Sequence, residues 1–117
     1  MGYKIEFFGW CNEKGHDKIW GWVSIGDDRY LYNFWGSRGK KFTFKRYEVS
    51  NYWDMSILEK LSEKKMQRNR PNGTYERIQP SNIPKIIENF TEEFEKQLTL
   101  AKLFDNWHGE KVESPYD

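Results

Sequence analysis

The sequence contains almost none of the features that assign a chain to a secreted or membrane class. Cys11 is its only cysteine, so no disulfide can form within the chain, and a reducing compartment fits. No apolar run reaches the roughly 18 residues typical of a transmembrane helix, and the first residues lack the charged and apolar regions of a signal peptide. We therefore expect a soluble, intracellular protein without a membrane partner.

Motifs for catalysis and metal binding are also lacking. His16 and His108 have no Cys, Asp or Glu at the spacing of metal ligands. Asp27 and Asp28 are typical of a turn, Ser37 has no evident base to activate it, and no glycine-rich phosphate loop occurs. We therefore predict no catalytic residue, no metal site and no cofactor, and we expect the protein not to be an enzyme.

Aromatic residues, in contrast, are abundant. Of the 117 residues, 18% are Phe, Tyr or Trp, which is too many for a disordered chain. The length suits one domain with one core, and because Leu, Val and Ile are sparse, large rings must fill much of that core. The tryptophans expected in the core or on a sheet face are Trp10, Trp20, Trp22 and Trp53.

The periodicity of apolar residues predicts an α+β fold. Four segments with short polar turns between them predict a four-stranded antiparallel meander over residues 3–11, 18–25, 30–35 and 42–49. Helical spacing predicts one helix over about 54–68 and an amphipathic C-terminal helix of about 20 residues that begins near Ser81. We expect the helices to cover one face of the sheet.

Charge divides the chain near residue 80. Residues 1–79 carry a net charge of +5 and residues 80–117 a net charge of −4, within a whole-chain charge of +1. This asymmetry indicates either an anionic partner for the first part or two oppositely charged faces within one fold. We predict a principal domain over 1–79, with the helix and tail of 80–117 packed on the same domain.

The segment from Tyr32 to Lys41 combines an aromatic strand with a basic turn. Trp35 ends the strand, and Gly36 and Gly39 bracket a tight corner. Such a corner offers a ring for stacking and positive charges for phosphates, although a charged hairpin that keeps a sheet edge soluble is the alternative. The predicted phosphate-binding residues here are Arg38, Lys40, Lys41, Lys45 and Arg46.

A second basic group lies on the first predicted helix. Lys60 and Lys64 stand four residues apart, so they share one helix face. We predict that they extend the nucleic-acid-binding surface, with an ordinary solvated face as the alternative.

This order of elements resembles the WGR domain, a module of nuclear poly(ADP-ribose) polymerases and assorted bacterial proteins that is named for a Trp-Gly-Arg signature. The resemblance covers the layout of residues 3–79. It depends on the strand 19–25, the Gly26-Asp27-Asp28 turn, the Trp35-Gly36 pair and the later Asn72-Gly73-Thr74-Tyr75 segment. Two positions depart from the family: Ser37 replaces the signature Arg, with Arg38 one position later, and Tyr75 stands where Trp is usual.

The resemblance implies nucleic-acid binding, at DNA ends in the polymerase members, with Trp35 near the terminal nucleotide. It also implies DNA rather than RNA as the preferred partner. In those members the signature Arg helps to transmit the contact with the nucleotide to a neighbouring domain. Ser37 stands at that position in this chain, so we do not expect this role here. The predicted function is therefore a non-enzymatic nucleic-acid-binding module of low sequence specificity.

A protein-interaction module is the alternative function. A small regulator or inhibitor of this kind would dock on a larger protein through its aromatic residues and the apolar stripe of the C-terminal helix. The predicted partner-binding residues are Phe90, Phe94 and Leu98.

Overall fold

The sheet has five antiparallel strands, four of which form the predicted meander. The computed structural model describes residues 2–26, 30–48 and 52–104. The strands are β1 (Tyr3–Cys11), β2 (Lys18–Ile25), β3 (Tyr30–Ser37), β4 (Thr43–Glu48) and β5 (Glu76–Arg77), in the spatial order β4-β3-β2-β1-β5. The α+β prediction is thus confirmed, with β5 as a short addition beside β1.

Three α-helices accompany the sheet in the described ranges: α1 (Tyr52–Lys65), α2 (Ile83–Ile86) and α3 (Phe90–Phe104). The predicted C-terminal helix is interrupted, because Ile87 is extended, with φ −126° and ψ 110°, and Asn89 has a positive φ of 55°. No helix in these ranges is long and apolar enough to cross a membrane.

Helices cover both faces of the sheet, which corrects the expectation that they cover one. On the first face, here called the α1 face, α1 packs against a set of side chains that includes Trp20 and Trp22. On the opposite α3 face, α3 packs against a second set that includes Phe8 and Phe34. Alternate residues of a strand point to opposite sides of a sheet. Because both sides are apolar here, each needs a helix to exclude water.

A β-bulge in β1 places Ile5 and Phe7 on different faces of the sheet. Ile5 pairs with Val23 and Phe7 with Trp22, so β1 has one residue more than β2 between these pairs. Simple alternation would place Ile5 and Phe7 on the same face. Instead Phe7 packs on the α1 face, while Ile5 and Phe8 pack on the α3 face. The extra residue therefore reverses the alternation of β1, so that Phe7 rather than Phe8 joins Trp20 and Trp22 on the α1 face.

Phe94 lies at the centre of the core on the α3 face. It is fully buried, and its ring centroid is 4.8 Å from that of Phe34 and 4.9 Å from that of Phe90. Leu98 is also fully buried, and Phe90 is 5% exposed. The structure corrects the partner-binding prediction for Phe90, Phe94 and Leu98, because the chain's own sheet covers the apolar stripe of α3.

Hydrogen bonds as well as packing fix α1 on the sheet. Trp22 Nε1 donates to Ser62 Oγ at 2.9 Å, and the Ser62 hydroxyl donates to the carbonyl oxygen of Leu58 at 2.8 Å. On the same face, Asn33 Nδ2 donates to the carbonyl oxygen of Gly21 at 2.7 Å and ties β3 to β2. The Trp22–Ser62 hydrogen bond thus joins α1 to β2, while the Asn33–Gly21 bond lies within the sheet beneath the helix.

Phe94→Ala is expected to lower the free energy of unfolding by about 3–5 kcal/mol, because it removes a buried ring and leaves a cavity. Leu103→Ala is the matched control on the same helix. Leu103 is 71% exposed, and its loss is expected to change stability by less than about 0.5 kcal/mol. Urea unfolding followed by circular dichroism measures both. Equal stability of the two variants would contradict the core position of Phe94.

Candidate nucleic-acid interface

Trp35 is a core residue. It lies in β3 opposite Trp20 of β2 and Thr43 of β4, and only 6% of its surface is exposed. The alternation of β3 places it on the α1 face, where it packs in the same cluster as Leu58 and Leu61. Its ring has no free face for a terminal nucleotide, so the structure corrects the predicted stacking role of Trp35.

Arg38 forms an ion pair with Asp17 instead of facing solvent alone. Its Nε lies 3.0 and 2.9 Å from the two carboxylate oxygens of Asp17, and its Nη2 lies 2.9 Å from Oδ2. Nη1 donates to the carbonyl oxygen of Ile86 at 3.2 Å, and the guanidinium carbon stands 5.5 Å from the centroid of the Trp10 ring. Arg38 therefore joins the β1–β2 turn to α2. Its positive charge, which was predicted to bind phosphate, is neutralised by Asp17.

The ion pair shifts the pKa of both partners. The pKa of Asp17 is lowered, first by the hydrogen bond from Arg38 and then by that from Trp10 Nε1, which donates to Oδ1 at 2.7 Å. The pKa of Arg38 is raised, first by its hydrogen bond to Asp17 and then by the charge of that carboxylate. Each partner thus favours the charged form of the other.

The other four predicted cations of the hairpin do not share one surface. Lys40 and Lys41 are exposed after the turn and form no ion pair with any residue that the structure describes. Lys45 and Arg46 lie on opposite faces of the edge strand β4. The Lys45 Nζ is 5.1 Å from the centroid of the Tyr47 ring on the α1 face, whereas the Arg46 guanidinium carbon is 4.3 Å from that of Tyr30 on the α3 face.

Three connecting segments meet at one end of the sheet: residues 12–18, 38–42 and 64–75. The Arg38 N–H donates to the carbonyl oxygen of Asp17 at 3.0 Å, which joins the first two. Lys14 Nζ donates to the carbonyl oxygen of Arg70 at 2.8 Å, and the Thr74 N–H donates to the Glu13 carboxylate, which joins the first and third. We call these three segments together the basic end.

The basic end has a net charge of +7 in a chain whose net charge is +1. It holds nine Lys and Arg and two acidic residues, and both acids have internal partners: Asp17 pairs with Arg38, and Glu13 accepts the N–H of Thr74. The nine cations are Lys14, Lys18, Arg38, Lys40, Lys41, Lys64, Lys65, Arg68 and Arg70.

Sequence reasoning missed Lys14 and Lys18, and it treated Lys64 as part of a separate helix face. The signal was present in the predicted strand order, because a meander of antiparallel strands places its first and third turns at the same end. Lys60 lies one helical turn before Lys64 on α1, so it stands next to the basic end rather than within it.

The ring of Tyr75 lies close to three of these cations. Its centroid is 5.3 Å from Lys65 Nζ, 5.7 Å from Lys18 Nζ and 5.7 Å from the Arg70 guanidinium carbon. Lys65 Nζ also lies 5.5 Å from the centroid of the Trp20 ring. A ring face attracts a cation and lets it keep its charge. The aromatic core thus holds positive charge in fixed positions at its edge.

The chemistry of this region suits an anion. Lys40, Lys41, Lys64 and Arg68 are exposed there. Across residues 2–26, 30–48 and 52–104, no three His, Cys, Asp or Glu side chains come together as they would in a metal site. Cations and N–H donors are the groups that contact phosphate oxygens.

No protein-family model, curated protein or solved structure matches the chain. The resemblance to WGR domains therefore stays a prediction that depends on the motif residues alone. The function has to be argued from the geometry of this chain.

Trp35→Ala is expected to lower the free energy of unfolding by about 3–5 kcal/mol, as for other buried rings. Trp35→Phe keeps an apolar ring in the core, and we expect it to retain both the fold and any affinity for nucleic acid. Urea unfolding and fluorescence anisotropy with an oligonucleotide measure the two properties. A Trp35→Ala protein of normal stability that has lost only its binding would restore the stacking role.

The Asp17–Arg38 ion pair is expected to make stability depend on pH. Because the folded-state pKa of Asp17 lies below its ordinary value of 3.8, its stabilising contribution is complete above that value and is lost as the pH falls through the folded-state pKa. Urea unfolding at several pH values from about 5 to 2 measures the free energy of unfolding. As the pH falls, this free energy should decrease more steeply for wild type than for Asp17→Asn. Parallel pH curves would contradict the ion pair.

Proposed function

We propose that this chain is a non-enzymatic nucleic-acid-binding module that holds phosphates at the basic end. The observation that supports the proposal is the convergence of three segments distant in sequence, which bring nine cations together with two acids that have internal partners. The net charge of the chain is only +1, and dispersed charges of that sum would attract a polyanion weakly. The same cations concentrated at one end attract it far more strongly.

Exposed cations of the basic end make the phosphate contacts in this proposal. Lys40 and Lys41 come from the β3–β4 turn, and Lys64 and Arg68 from the end of α1 and the loop after it. Each phosphate that one of them neutralises releases condensed counterions, so affinity falls with added salt by a slope of about 0.9 per contact on duplex DNA. A few such contacts support binding in the micromolar range at physiological salt.

The proposed binding has low sequence specificity. Base readout needs side chains whose polar atoms pair with base edges in a groove. The inner side of α1 is packed on the sheet, the helix contains no Arg, Asn or Gln, and its exposed Lys60 and Lys64 serve in this proposal as contacts to phosphate. Contacts to the phosphate backbone therefore dominate, and DNA is preferred over RNA only through the resemblance to WGR domains.

A protein partner would have to use other residues than those predicted, because Phe90, Phe94 and Leu98 lie in the core. An acidic protein surface fits the basic end by the same electrostatic rule as a nucleic acid. Such a partner would compete with nucleic acid for Lys40 and Lys41.

The charge-reversal variant Lys40→Glu/Lys41→Glu is expected to weaken nucleic-acid binding at least tenfold and to reduce the slope of log affinity against log salt by about 2, because each cation contributes about one phosphate contact. Fluorescence anisotropy with labelled DNA across a salt series measures both quantities. Circular dichroism checks that the variant folds.

The matched control is Lys4→Glu/Lys85→Glu, which changes the net charge equally but alters cations outside the basic end. Lys4 lies near the start of β1 and Lys85 lies in α2. We expect this control to keep the wild-type salt slope. Equal weakening in both variants would show that only net charge matters, and absence of binding at low salt would overturn the proposed function.

A further inference from the structure

We propose that single-stranded nucleic acid is the form bound, with one base stacked on Trp53. This inference rests on the proposed function and names the ligand of the same surface. It starts from the position of Trp53, which is the second residue of α1 and is 71% exposed. The sequence predicted this residue in the core or on a sheet face, so its exposure is a correction.

An exposed ring is exceptional in this protein. Among the side chains whose exposure the structure describes, which leave out Tyr52 and Phe104, three large apolar ones are exposed, Trp53, Met66 and Leu103, and Trp53 is the only aromatic one. The helix covers the sheet through its other side, where Leu58 is fully buried. Most of the Trp53 side chain therefore lies outside the core.

Trp53 stands in line with cations that lead to the basic end. Lys60 follows it by seven residues and Lys64 by eleven, which at 3.6 residues per turn puts all three on the same exposed side of α1. The line rises about 10 Å from Trp53 to Lys60 and about 16 Å from Trp53 to Lys64. Glu59 and Glu63 lie on the neighbouring strip of the helix. A backbone that follows the cations thus brings its bases within reach of the ring.

Stacking on an exposed ring selects the single-stranded form. In a duplex the faces of internal bases are covered by their neighbours, whereas an unpaired strand presents its base faces to aromatic side chains. The combination of a cationic path with a ring beside it is the usual arrangement in proteins that bind single strands without sequence preference. Trp53 supplies the ring that Trp35, buried beneath α1, does not.

The test compares four proteins on three ligands by fluorescence anisotropy at fixed salt. The proteins are wild type, Trp53→Ala, Trp53→Phe and Leu103→Ala, the last a control with the same 71% exposure on another helix. The ligands are a deoxythymidine oligonucleotide, an abasic oligonucleotide of equal length and a blunt DNA duplex. The abasic strand keeps the phosphates and removes the rings, so it separates stacking from charge.

We expect wild type to bind the thymidine strand more tightly than the abasic strand. Trp53→Ala should weaken thymidine binding roughly 5- to 100-fold, the effect of losing one base–aromatic stack, and should leave abasic binding unchanged. Trp53→Phe should restore most of the affinity, and Leu103→Ala should match wild type. Thymidine should also quench tryptophan fluorescence in wild type more than in Trp53→Phe.

Other outcomes separate the two proposals. If Trp53→Ala binds the thymidine strand as wild type does, or loses abasic binding equally, the stacking inference is wrong while nucleic-acid binding stands. Tighter binding of the duplex than of the thymidine strand also overturns it. If wild type binds none of the three ligands at low salt, the proposed function itself fails.

Discussion

Large aromatic side chains on both faces of one sheet impose the main constraint on this structure, because both faces must be kept from water. The β-bulge between Ile5 and Phe7 decides which of the adjacent rings of Phe7 and Phe8 faces each side. Helix α1 then covers one face and α3 the other. A chain of 117 residues has few other elements to spare, so both long helices are committed to the core along their apolar sides.

This commitment explains why the aromatic residues that looked functional are structural. The alternation of β3 directs Trp35 towards α1, and the helical spacing of α3 directs Phe94 towards the sheet. Both side chains are buried there. The exposed side chains of the connecting segments at the ends of the sheet and the outer side of α1 do not belong to the core. Chemistry directed at a partner has to come from these parts, which is the usual division of labour between scaffold and loops.

The distribution of charge in the folded protein follows from the order of the strands. A meander places alternate turns at one end, and the loop after α1 returns to that end to form β5. Glu13 accepts the N–H of Thr74 and Asp17 forms an ion pair with Arg38, and these internal contacts join the segments. The edge of the aromatic core, at Tyr75 in particular, holds three cations near one ring. A nearly neutral sequence thus produces a strongly basic end.

The sequence by itself determined the α+β class, the four strands of the meander and the helical segments, because these depend on local periodicity and turn residues. It also led to the prediction, which stays a prediction, that cations near residues 38–46 and 60–64 bind phosphate. Only the tertiary structure decided which face of the sheet each ring occupies. A one-residue bulge reverses the alternation of side chains along a strand, and no local sequence pattern predicted the bulge in β1. The tertiary structure alone joined Lys14 and Lys18 to Lys40 and Lys64, buried Trp35 and exposed Trp53. Those outcomes depend on which segments meet in space, and contact between residues distant in sequence is set by packing of the whole chain.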